Sequence, residues 1–560
     1  MTWTHGFHRE EGIVCFNHCL ALDPDCAMAH WGIAFCHGPN YNMNGDRYVG
    51  LSKTDAFPSM STAFHHATAA QAALTDGSSP TETALINALV PRYVADWDDV
   101  APNTDGNAVL TGNPELDTLN HAFVAACREA VTASPDNVEL HWCLAEGLMN
   151  CRPWQLWDVT TGEQAPETAE IVEHLTRGLA LSPTHPGLCH SAIHCYEQSP
   201  FPERALPSCD VLRPGGSAIV PDCGHLLHMP SHIDVLVGNY EAAVVSNAAA
   251  IVADLKAIEL GGIHVNGMTV GFTAHNHHML VYAAMLAGMV RPAAPFASSR
   301  VFSVLSRPQK RCVRACSQEE QARSHATSLQ KHIGEARLRM PLAAEGAEAH
   351  CALELHVLIR FGKWEEILDW PAPADPVLWC ATVAQRHFAR GIAYAALGKV
   401  NEARAEQASF RVSLSEPTLA TRRVHNNMVT TLLEIAEEML EGEVLYRSGE
   451  FDAAFAKLEK GVALEDALAY DEPWGWMSPV RHALGALLLE QGRVAEAESV
   501  YRADLAPGRH PNNVWALHGL HACVPLPAPL RSALLPFALL TASAWPPQMP
   551  LGQRGRRRGE

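Results

Sequence analysis

One local pattern recurs along this chain and limits what it can fold into. A run with helical apolar spacing meets a glycine, and a second helical run with a small residue follows. "LGALLLEQGRVAEAESVYRADL" (484–505) breaks at Gly492 and carries Ala497 and Tyr501 beyond it. "RGIAYAALGKVNEARAEQASF" (390–410) has the same form around Gly398 and Ala403, and "EGEVLYRSGEFDAAFAKLEKGVAL" (441–464) around Gly449 and Ala454. "VGNYEAAVVSNAAA" repeats it at Gly238 and Ala243, and "RFGKWEEIL" at Gly362. In "LALDPDCAMAHWG", "VTASPDNVELHWC" and "LALSPTHPGLCHS", Pro24, Pro135 and Pro183 fall between the second helix of one unit and the first of the next. Such a chain stacks helix pairs. Only 7% of its residues are aromatic against 48% apolar, which suits helices better than sheets.

The pattern resembles the tetratricopeptide (TPR) repeat, a helix-turn-helix unit of about 34 residues with small residues where its helices cross. "FNHCLALDPDCAMAHWGIAFCHGPNYN", "HMPSHI" and "VALEDALAYDEPW" resemble, more narrowly, a group of large TPR-containing proteins. The resemblance implies an all-α, TPR-like superhelical solenoid whose concave face is lined by the first helix of each unit. The phase divides the chain into a shortened N-terminal helical unit (1–45), His-rich repeats (46–290) and C-terminal repeats (346–523). Residues 291–345 are basic and out of phase, which predicts an irregular insertion or linker. The tail 524–560 abandons the pattern, ends in arginines and reads as disordered.

Charge narrows the partners. With 41 basic against 61 acidic residues, the net of −20 repels a phosphate backbone, so nucleic acid is not expected. No run approaches the roughly 20 apolar residues of a membrane span. The 16 cysteines form no CxxC pair, which predicts reduced thiols and a cytoplasmic protein.

The unusual count is 30 histidines. With the turn glycine as repeat position 15 and the proline as position 32, Pro183 puts His190, His194 and Glu197 at positions 5, 9 and 12. Gly238 independently puts His228 and His232 at positions 5 and 9. Gly288 puts His275, His278 and Tyr282 at positions 2, 5 and 9. These positions share one helix face, because residues three and four apart are neighbours. Packed helices lie about 8–10 Å apart, so consecutive units can converge imidazoles on one centre. A lone histidine on such a face is ordinarily a hydrogen-bonded core residue; two pairs in one phase beside a third unit point to metal.

The expected ligands are therefore His190, His194, Glu197, His228, His232, His275 and His278. Glu197 is also the candidate catalytic base on metal-bound water. Imidazole suits a transition metal ion (Zn, Fe, Cu or Ni) and not Ca or Mg. Trp142, Glu146, Tyr282, His356 and His482 occupy the same repeat positions and are expected to line the ligand groove. Cys189 and Cys195 point away from the His face, and Asp471 and Glu472 in "YDEPWGW" read as turn residues. Two functions fit: a metal-dependent oxidoreductase or hydrolase acting on a small molecule, or an adaptor that grips a peptide of a partner protein without catalysis.

Overall fold

The computed structural model describes residues 1–53, 57–97, 113–216, 220, 222–261, 267–288, 318–339 and 343–524. Among these the chain is all-α apart from one hairpin, in which Arg423–Val424 pairs antiparallel with Asn427–Met428. No described helix is long and apolar enough to cross a membrane.

The turn glycines do what the sequence asks of them. Gly238, Gly362, Gly398, Gly449 and Gly492 all have φ between 66° and 86°, a left-handed conformation that costs glycine nothing. Each ends its helix in the same way. At Gly398 the glycine N–H donates to the Ala395 carbonyl at 2.9 Å and the Lys399 N–H to the Tyr394 carbonyl at 2.8 Å. The corresponding pair of bonds forms at Gly362, Gly449, Gly492 and Gly238, satisfying carbonyls that the helix end leaves open. The small residues beyond these turns (Ala243, Ala403, Ala454 and Ala497) are fully buried where the next helix closes on the first. Starts are fixed as locally: Asn113, Asn137 and Asn513 accept from the backbone N–H three residues on, and Ser79 and Glu82 form a capping box.

Consecutive helices pack on one another along the chain, and the apolar core follows in three large blocks. The N-terminal block runs from Phe7 to Cys195 and also takes in Phe272, the middle one centres on Gly267–Ala287 and Gln318–Leu338, and the last covers Ala352 to Cys523. The short helix Thr2–His5 lies against Pro186–Tyr196, which brings the first residues of the chain beside His190. The stretch 291–345, expected to be irregular, is helical over Gln318–Leu338 with a kink at Gly334, and Ala322, Ala326, Leu329 and Ile333 keep a buried face at helical spacing before it. Its part 291–317 and the tail 525–560 lie outside the described residues.

Candidate metal centre

Helix Pro186–Tyr196 begins with proline at its first position, and the His185 imidazole caps it by accepting from the Leu188 N–H at 3.1 Å. The helix then buries His190 and His194, each 1% exposed. Glu197 follows at its C-cap. Pro230 divides the next segment into Gly224–His228 and Pro230–Leu236, which carry His225, His228 and His232. Helix Gly267–Ala287 supplies His275 and His278. All seven expected ligands sit in one continuous cluster, with ring centroids 4.9 Å apart for His190–His194, 5.5 Å for His194–His232 and 4.5 Å for His228–His275.

Three groups of three histidines have ligand atoms within 4.8 Å of one another: His190, His194 and His225; His228, His232 and His275; His278, His350 and His425. The second Nε2 pair is the most constrained. His228 Nδ1–H donates to Asn247 Oδ1 at 2.6 Å, and that oxygen is identified because Asn247 Nδ2 is spent on the Ala243 carbonyl. His232 Nδ1–H donates to Glu197 Oε2 at 2.7 Å. Both rings therefore carry their proton on Nδ1, and their Nε2 lone pairs face each other at 2.7 Å. A cation bound by both would resolve that opposition, with the rings moving apart, since two imidazoles on one tetrahedral ion at about 2.1 Å stand roughly 3.4 Å apart.

The same logic orients the first group. His190 Nδ1–H donates to the His5 carbonyl at 2.6 Å and His194 Nδ1–H to Glu197 Oε1 at 2.8 Å. Their Nε2 atoms, and both ring nitrogens of His225, are buried without a hydrogen-bond partner. An imidazole whose Nδ1–H is held and whose Nε2 is open is prepared for a metal. Burial holds these rings neutral, the ligating form: it lowers His194 to about 3 and His228 to about 4, and His190, His225, His232, His275 and His278 well below the ordinary value.

Glu197 accepts from two histidines, His194 Nδ1–H on Oε1 and His232 Nδ1–H on Oε2, and so joins the first two groups. It also belongs to a fourth set, with His194, His232 and Glu472, whose ligand atoms lie within 4.8 Å of one another and could hold an ion. Burial raises Glu197 and Glu472 well above the carboxylate range. The hydrogen bond between them opposes that rise at Glu197 and adds to it at Glu472. Glu472, read from sequence as a turn residue, lies 3.3 Å from His232 Nδ1 and accepts from Trp154 Nε1 at 3.2 Å.

Sequence reasoning also missed His225, His350 and His425. The signal for His225 was present: it precedes Gly238 by the same 13 residues that separate His275 from Gly288. His350 comes from the 3-10 turn Glu348–Ala352, and His425 from the tip of the β-hairpin, where no repeat phase reaches. His425 has φ 45°, an unusual backbone for a residue with a side chain. That conformation sets its ring 4.9 Å from His275 and 5.4 Å from His350.

The five expected groove residues are buried, and four of them face the core. Trp142 is 1% exposed and packs against His5 and Phe35. Glu146 is held between Arg9 at 3.1 Å and Arg92 at 3.6 Å. Tyr282 stacks on Trp474, and His482 Nε2–H donates to Asp504 at 2.8 Å. His356 lines a pocket, beside His278, His350, Gln385, Leu432 and Trp476. Cys189 and Cys195 are buried members of apolar clusters.

Other histidines have plain structural work. His30 pairs with His66 at 2.8 Å, His141 with His174 at 3.0 Å and His277 with His325 at 3.0 Å, each pair joining separate helices. His5 and His185 flank Glu139, with His185 Nε2 at 3.1 Å from it. Comparison with protein-family models and with curated proteins finds no match to this chain.

Proposed function

We propose that this protein is a TPR-like helical scaffold built around a buried transition-metal centre, and that it uses the metal in redox chemistry on a small molecule. The observation that carries this reading is the His228–His232 pair, whose two Nε2 lone pairs are forced together by acceptors that consume both Nδ1 protons. A core histidine pair without a metal would place a proton between the nitrogens, as a neutral donor-acceptor pair requires one N–H. Support for the scaffold comes from the five identical glycine turns.

The redox reading is preferred to hydrolysis because Glu197, the carboxylate expected to act as base on bound water, already accepts from His194 and His232 and serves to orient them. An imidazole set accepts copper and iron, which change oxidation state, as well as zinc and nickel, and the redox reading takes the first two. The pocket beside His278 and His350 has an apolar wall of Leu432, Leu433, Trp476 and Met477 with Gln385 as its polar group, which fits a small, largely apolar molecule. The adaptor reading is weaker, because Trp142, Glu146, Tyr282 and His482 are packed inside and offer no surface to a peptide.

X-ray absorption at the edge of the bound metal tests the assignment. The nearest neighbours should be dominated by nitrogen at about 2.0–2.1 Å with imidazole ring scattering behind them. Neighbours dominated by sulfur at about 2.3 Å would put the ion on cysteines and sink the reading.

A further inference from the structure

The three histidine groups do not compete for one ion. Within each, the ligand atoms lie within 4.8 Å, and no histidine belongs to two of the three. They also touch in series. His225 and His228 stack at 5.8 Å between the first and second groups, and His275 and His425 are 4.9 Å apart between the second and third. Each group brings buried nitrogens with no hydrogen-bond partner: His190 Nε2 and His194 Nε2 in the first, His275 Nδ1 in the second, His278 Nδ1 and His350 Nδ1 in the third.

From this we infer that the centre is polynuclear, with one ion in each of the three histidine groups, and that the ions are monovalent copper. The inference rests on the metal-centre reading above but asks more of it. Charge decides the metal. Imidazole is neutral, and the carboxylates in contact with the array's imidazoles include Glu197, Glu472 and Asp471, the last 3.5 Å from His425 Nδ1. Buried charge without compensation is costly, so a row of divalent ions would be far less favourable than a row of monovalent ones. In the third group His278 Nε2–H donates to Met477 Sδ at 3.0 Å, which leaves Nδ1 as the nitrogen open to the ion.

Metal-free protein would be loaded anaerobically with excess Cu(I), desalted, and its copper counted per chain by mass spectrometry. A parallel sample would be loaded with Zn(II). About three equivalents of Cu(I) are expected, with Zn(II) filling about one. The variants H190A/H225A and H350A/H425A should each lose about one copper and keep the remainder, with unchanged helical circular dichroism. One equivalent of Cu(I) in the unmodified protein would overturn the polynuclear assignment while leaving a single metal centre intact. No copper at all would remove both. Equal filling by Zn(II) would overturn the charge argument and the choice of a monovalent ion. The wild-type count needs no variant to fold, so a misfolded double variant leaves the test standing.

Discussion

Glu146→Ala is expected to destabilise the protein by about 3–5 kcal/mol, the cost of removing one partner from a buried ion pair. The carboxylate sits between two fully buried guanidiniums, 3.1 Å from Arg9 and 3.6 Å from Arg92. Arg9 also donates to the carbonyls of Phe35, Gly38 and Pro39, and Arg92 to Pro39. Those bonds keep both side chains in place when Glu146 is gone, so two positive charges remain in the core with their counter-charge removed. Arg92 lies over the Phe123 ring at 4.4 Å and Arg9 over Phe35 at 5.0 Å, contacts that soften the loss but do not replace a full negative charge. Chemical denaturation of Glu146→Ala beside Glu146→Gln measures the effect. The amide restores hydrogen bonding without charge, so it should recover only part of the stability. A Glu146→Ala protein as stable as wild type would show that the three groups do not form a coupled network.

The second large effect concerns Glu197. One carboxylate fixes the tautomers of two histidines in two different groups, through Oε1 to His194 and Oε2 to His232. Without it each ring can move its proton to the nitrogen that should face the metal. Loss of such an orienting acceptor costs about 10–100-fold in metal affinity. Glu197→Ala should fall in or above that range, since two ligands are released together. Glu472 still lies 3.3 Å from His232 Nδ1 and can accept from it. Glu197→Gln accepts from one histidine and presents an N–H to the other, so its affinity should fall between the two. Competition against a chromophoric chelator reads these values. Wild-type affinity in Glu197→Ala would remove its orienting role.

The part of the site that the sequence made legible is the part built from helices in phase. Two independent anchors gave His190, His194, His228 and His232 the same repeat positions, and these four side chains do meet. Periodicity reports which face of a helix a residue occupies, and it cannot say what will cover that face. Trp142 and Glu146 were placed on an open groove wall, yet the N-terminal residues His5 and Arg9 lie over them. The same limit hid the remaining members of the cluster. His350, His425 and Glu472 come from a 3-10 turn, a hairpin tip and a loop, each far along the chain from His232. Glu472 sits among turn-forming residues, and nothing local marks a carboxylate that reaches a histidine 240 residues earlier. Gln318–Leu338 escaped notice for a different reason: it is a polar helix without a glycine turn in phase, although its apolar residues fall on one face.

The central claim is that these histidines hold a transition metal, and elemental analysis by inductively coupled plasma mass spectrometry tests it most directly. The untagged protein would be measured beside an H194A/H232A variant whose circular dichroism confirms that it is folded. At least one equivalent of a transition metal is expected in the wild type, with a large loss in the variant. A wild type that stays metal-free after anaerobic reconstitution with copper, iron and zinc would contradict it, and the array would then be a buried histidine core.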